Sequence, residues 1–114
     1  MNIYQIVLTK KEVDRVNEIG RQAAIKEMPK YSAYLDCMLE GSRNYKPEYF
    51  QYFTKVASVD TTDLEECFRL TNLWEDMSRV KKHTSSVRST SVGDIVEVEP
   101  NLYYICEPEG WSVL

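Results

Sequence analysis

The sequence predicts an α+β fold: one domain spanning residues 1–114, with a small, mainly antiparallel sheet packed with about three helices. Three observations carry this prediction. Strand-like and helix-like segments follow one another as strand, helix, helix, strand, helix, strand, strand, an order without the regular βαβ repeat of a parallel sheet. Two of the helical stretches open on a Thr-x-x-Glu spacing, and the last quarter of the chain alternates apolar and polar residues at period two. With 114 residues, 43% of them hydrophobic and 28% charged, the chain is long enough for one core and too short for two.

IYQIVL, residues 3–8, is short, apolar and rich in β-branched side chains, as a buried strand is. Thr9 stands three residues before Glu12, so each side chain can satisfy the other's free backbone donor and start a helix. Val13, Val16, Gly20, Ala23 and Ala24 mark its packing stripe. Pro29 interrupts this run and opens KYSAYLDCMLEG, in which Tyr31, Tyr34, Leu35, Met38 and Leu39 recur at helical spacing and Gly41 is placed as a stop. That tyrosine-rich face suits a core edge or a partner surface.

RNYKPEY is a turn-rich connection, and residues 51–59 read as a second strand. Thr62 and Glu65 repeat the capping spacing ahead of DLEECFRLTNLW, where Leu64, Cys67, Phe68 and Thr71 share a face and Asn72 is placed to end the helix. Residues 75–90 lack a period, are rich in Ser and Thr, and are expected as a basic flexible loop. Residues 91–114 are expected as an acidic β-hairpin module, with strands 94–99 and 102–106 joined at Pro100-Asn101 and a bend at Gly110 before Trp111.

Charge is unevenly spread. The net charge is -4, which argues against attraction of the whole molecule to nucleic acid or to an anionic membrane. Arg79, Lys81, Lys82 and Arg88, with His83, nevertheless form a basic patch, followed from Ser91 onward by Asp94, Glu97, Glu99, Glu107 and Glu109 with no base among them. At strand spacing the glutamates have two readings: a solvated edge that discourages strand pairing, or a phosphate-like row that fits a basic groove.

Few catalytic signatures are present. The four glycines form neither a G-x-x-x-x-G-K-S/T nor a G-x-G-x-x-G phosphate cradle. Cys37, Cys67 and Cys106 are far apart, without any C-x-x-C, and read as reduced buried thiols and not as zinc ligands. Ser91 and His83 lack the spacing and the G-x-S-x-G elbow of a nucleophile set. No cofactor, metal site or enzyme activity is therefore expected. The opening residues carry neither a signal peptide nor a membrane span, so a cytoplasmic location is expected.

The succession DLEECFRLTNLW, SVGDIVEVE, YYIC and a final GW resembles a widespread class of small bacteriophage and mobile-element proteins. In that class a helix of this type precedes an SVGD turn, a strand and a terminal GF or GW; the chain is similar, more distantly, to YodL-like domains of mobile elements. The resemblance covers about residues 51–114 and rests on Asn72, Leu73, Trp74, Ser91, Val92, Gly93, Asp94, Gly110 and Trp111. It implies structural roles for Asn72, Gly93, Asp94 and Gly110 and brings no catalytic residue. It also implies a phage or mobile-element accessory protein, a kind that often inhibits a host defence protein such as a CRISPR effector or a restriction enzyme.

Two interaction surfaces follow as expectations. The acidic face, Glu97, Glu99, Glu107 and Glu109 with Trp111, would bind a host defence protein by imitating nucleic acid. Alternatively Arg79, Lys81, Lys82 and Arg88 would bind nucleic acid. Sequestration of a small molecule by the tyrosines and a role in virion assembly are the remaining classes.

Overall fold

The computed structural model covers residues 1–114 and is an α+β domain built on one six-stranded antiparallel sheet. In chain order the elements are β1 (Asn2–Gln5), α1 (Lys10–Ile19), α2 (Arg21–Glu27), α3 (Pro29–Glu40), β2 (Thr54–Val59), α4 (Leu64–Leu73), β3 (Val80–Lys82), β4 (Ile95–Glu99), β5 (Leu102–Cys106) and β6 (Trp111–Val113). Short 3-10 turns occupy Gly41–Arg43, Pro47–Tyr52 and Met77–Arg79. The strands lie in the order β3-β2-β1-β4-β5-β6, which puts the first strand in the centre and makes β3 and β6 the two edges.

Register divides the sheet into two faces. Ile3 stands opposite Ala57 and Val96, and Val59 opposite Val80, so these residues share one face. Cys67 and Leu70 of α4 close over that face, and Val56, Val98, Trp74 and Trp111 join the cluster. The other face carries Tyr4 and Tyr103, whose rings pack with Phe50 of the Pro47–Tyr52 turn at centroid distances of 5.4 Å and 5.3 Å. The sheet is thus covered on both sides, and antiparallel pairing through all six strands leaves only two edges.

Local signals were accurate where they depend on near neighbours. Thr9 and Glu12 form the reciprocal cap of α1. Gly20, at φ 86°, breaks the expected single helix into α1 and α2, which Arg15 and Glu27 link through two hydrogen bonds of 2.8 Å and 2.7 Å. The packing stripe changes with the break: Ala24 is buried, while Val13 is exposed. Pro29 is the first residue of α3, and Gly41 ends it at φ 59°. On α3 Tyr31 is buried beside Ala33 and Cys37, whereas Met38 and Leu39 face solvent.

Elsewhere the elements differ from expectation. β1 ends at Gln5, because the chain must leave the sheet to reach the cap of α1. The first two residues of the expected second strand, Gln51 and Tyr52, coil instead into the Pro47–Tyr52 turn, where the prolyl N1 position favours a helical start. Asp63, not Thr62, caps α4 by accepting from the Glu65 amide at 2.9 Å. The helix runs past Asn72 to Leu73 and stops at Trp74 in the left-handed region, φ 54°. The segment expected as an irregular basic loop contains β3, paired with β2 from Ala57–Lys82 to Val59–Val80. The final residues form a true sixth strand on β5.

Candidate functional site

The SVGD segment folds as a tight turn. The Asp94 amide donates to Ser91 O at 3.0 Å, and Gly93 has φ 90°, the value required at the third position of a type II turn. A Cβ at Gly93 would lie 2.5 Å from Cys37 O, so the backbone of α3 packs directly on the turn. Asp94 is 1% exposed and accepts at Oδ2 from Gln5 Nε2 and the Ser91 amide, and at Oδ1 from Arg88, all at 3.0 Å. Burial drives the Asp94 carboxyl up to about 6, and Arg88, Ser91 and Gln5 oppose a further rise. Beside it, the buried hydroxyls of Thr71 and Thr90 meet at 2.6 Å, and Asn72 Nδ2 donates to Phe68 O and Thr90 O. Asn72, Gly93 and Asp94 thus join α3, α4 and the sheet.

Three of the four basic residues have partners within the chain. Arg88 contributes its guanidinium to Asp94 and lies over the Tyr34 ring. Arg79 donates to Asp60 O and to the Glu66 carboxylate. Lys82 Nζ sits 4.5 Å from the Trp74 ring centroid, which leaves Lys81 as the unengaged member of the four.

The acidic residues do not form a row. Glu97 lies on the Tyr103 face and accepts from Asn2 Nδ2 at 2.9 Å, and that bond holds its carboxyl below the ordinary value. Glu107 accepts from the Ser42 amide at 2.9 Å; burial pushes its carboxyl up, and the bonds from Ser42 and Ser112 outweigh this and lower it. Glu99, the last residue of β4, and Glu109, in the loop after β5, are exposed at opposite ends of β5. Five strand residues separate those ends, roughly 17 Å at the usual rise. The bulge between Glu97 and Glu99 further breaks the period-two alternation on which a carboxylate row depends.

A hydrogen-bonded ladder that the sequence reading missed crosses the same face. His83 Nε2 meets Ser58 Oγ at 2.8 Å, Ser58 Oγ donates to Asn2 Oδ1 at 2.8 Å, and Asn2 donates to Glu97. With the serine proton directed to Asn2, His83 Nε2 donates to Ser58, the reverse of a base activating a nucleophile. Cys37, Cys67 and Cys106 are buried free thiols, which burial pushes up to about 12, 11 and 12. No group of three or more His, Cys, Asp or Glu side chains is arranged to hold a metal ion, and no helix is long and apolar enough to cross a membrane.

Apolar and acidic groups do meet at the β6 edge. Phe68 of α4 and Trp111 of β6 pack edge to face, 6.5 Å between centroids at 84°. With Glu65, Glu107, Pro108 and Gly110 they line a cleft of about 180 Å³. Phe68 was expected among the packing residues of its helix, yet it is 36% exposed, because Leu70 occupies the core-facing position instead. Only the register of β6 on β5, with Trp111 opposite Cys106, brings Trp111 to this helix. No family model, curated protein or solved structure matches the chain.

Proposed function

We propose that this chain is a protein-binding module that inhibits a host nucleic-acid-directed defence protein, a CRISPR effector or a restriction enzyme, on behalf of a phage or mobile element. The likeness of its α4, SVGD and terminal GW segments to proteins of such elements supports that setting. The observation that carries the binding role is the β6 edge, where the exposed ring of Phe68 packs on half-buried Trp111, Glu65 lines the same cleft, and exposed Glu109 sits in the adjoining loop. Aromatic anchors within a charged rim are the composition of protein interfaces and suit a basic partner surface. The pairing of Arg79 with Glu66 and of Arg88 with Asp94 weighs against nucleic acid as the ligand.

The test is recovery of a partner from bacterial lysate with this protein as bait, with and without nuclease, followed by reconstitution of that partner's nucleic-acid cleavage. Nuclease-resistant capture of one protein, whose cleavage then falls as the bait is added, supports the proposal. Capture of nucleic acid alone, lost on nuclease treatment, or a captured enzyme that cleaves at an unchanged rate, overturns it.

A further inference from the structure

We propose that the β6 edge docks an extended, arginine-bearing segment of the partner, which adds to the sheet as a seventh strand and places the arginine in the Phe68–Trp111 cleft. This rests on the protein-binding reading above and deepens it.

The two edges of the sheet are built differently. β3 carries Lys81 and Lys82, both exposed, and lysine on an edge strand discourages another strand from pairing there. β6 has no such protection: its residues are Trp111, Ser112 and Val113, with Val113 60% exposed, and its outer backbone edge has no strand partner. An unprotected edge offers main-chain donors and acceptors to an incoming strand, while adjacent clefts select its side chains.

The cleft specifies the charge of that strand. It has the Glu65 carboxylate of α4 on one side and exposed Glu109 between two of its lining residues, and it contains no basic side chain; Glu107 lines it too, but its carboxylate is held by the Ser42 amide. Arg69, one position beyond Phe68, lines the neighbouring groove instead. At about 180 Å³ the cleft is smaller than a drug-sized site, roughly 300–1,000 Å³, and matches one side chain. Aromatic rings beside carboxylates favour a guanidinium, which stacks on a ring while its planar fork donates to an acid.

The experiment follows the two indole N–H resonances, from Trp111 at the cleft and Trp74 near the opposite edge, during titration with a synthetic pentapeptide of valines and threonines around a central arginine. A saturable shift of the Trp111 signal with a static Trp74 signal is expected. Replacing arginine by neutral citrulline, or introducing the surface substitution Glu65→Gln, weakens binding about fivefold. No shift, or equal binding of the citrulline peptide, overturns the proposal. A Trp111 shift produced by raising protein concentration alone assigns the edge to a second copy of this chain and overturns it as well. Carrying Glu65→Gln into the lysate capture separates the two proposals: a target retained undiminished by this variant leaves the inhibitor standing and removes the docking edge, whereas peptide binding without any captured target does the reverse.

Discussion

The Gln5 carboxamide donates to Oδ2 of Asp94 at 3.0 Å, between two buried side chains 89 residues apart. Gln5 also donates to Arg88 O and accepts from the Arg88 amide, so one side chain of the central strand holds the 88–94 segment in place. Asp94→Ala leaves Gln5, Arg88 and the Ser91 amide without their acceptor. The expected loss is about 3 kcal/mol of unfolding free energy, read by urea denaturation, and a loss below about 1 kcal/mol would show that the network is dispensable.

Asp94 also sets a pH dependence. Its carboxyl is raised from 3.8 to about 6 on folding, so the folded protein binds this proton more readily than the unfolded chain. The contribution is therefore full below pH 3.8 and lost as the pH rises through 6, the opposite of the lowered carboxylates Glu12, Glu66, Glu97 and Glu107. Asp94→Asn, permanently neutral, serves as reference and cancels those other groups. Between pH 7 and 4 the stability of the native protein relative to the variant is expected to grow on acidification, by up to about 1.4 kcal/mol per pH unit. A difference that stays flat or shrinks contradicts the assignment.

Two glycines with positive φ should respond unequally. Gly93→Ala combines a φ of 90° with a Cβ 2.5 Å from Cys37 O, and is expected to cost 3 kcal/mol or more, about the sum of left-handed strain and overpacking. Gly110→Ala, at φ 76° with nothing within 4 Å, should cost only about 1 kcal/mol. Melting temperatures of the two variants compare them directly; equal shifts would remove the close approach of α3 as the cause.

The basic residues divide in the same way. Arg88→Ala is expected to lower stability by about 2 kcal/mol through the hydrogen bond it gives to Asp94, while Lys81→Ala stays within about 0.5 kcal/mol. Denaturation of both variants decides the matter, and equal effects would mean that Arg88 is as solvated as Lys81.

For target binding, Glu109→Lys is expected to weaken capture about tenfold, because it places a like charge beside a cleft meant for a cation. Glu99→Lys, at the end of β4 and beside the far end of β5, should leave capture unchanged. Loss of affinity in both variants would instead favour the carboxylate row as a nucleic-acid mimic.

Much of the fold was legible from short-range chemistry. The Thr9–Glu12 cap, the Pro29 start, the Gly41 stop and the SVGD turn each depend on residues within a few positions of one another. β3 was not legible, since a three-residue strand of Val and two Lys has no period to detect and exists because β2 offers an edge. The β6 cleft was half legible: Trp111 stood out, whereas Phe68 and Glu65 read as members of an ordinary packing helix.

From the sequence alone, the α+β class, the Thr9–Glu12 cap and the two ends of α3 were determined, because backbone conformation there responds to near neighbours. Which charges remain free for a partner was decided only by the tertiary structure. Arg88 and Glu97 look equally available along the chain, yet Arg88 is held by Asp94, and Glu97 by Asn2 at a separation of 95 residues. Placing β1 between β2 and β4 makes the Asn2–Glu97 contact, and a charge already hydrogen-bonded inside the fold has less to offer a ligand.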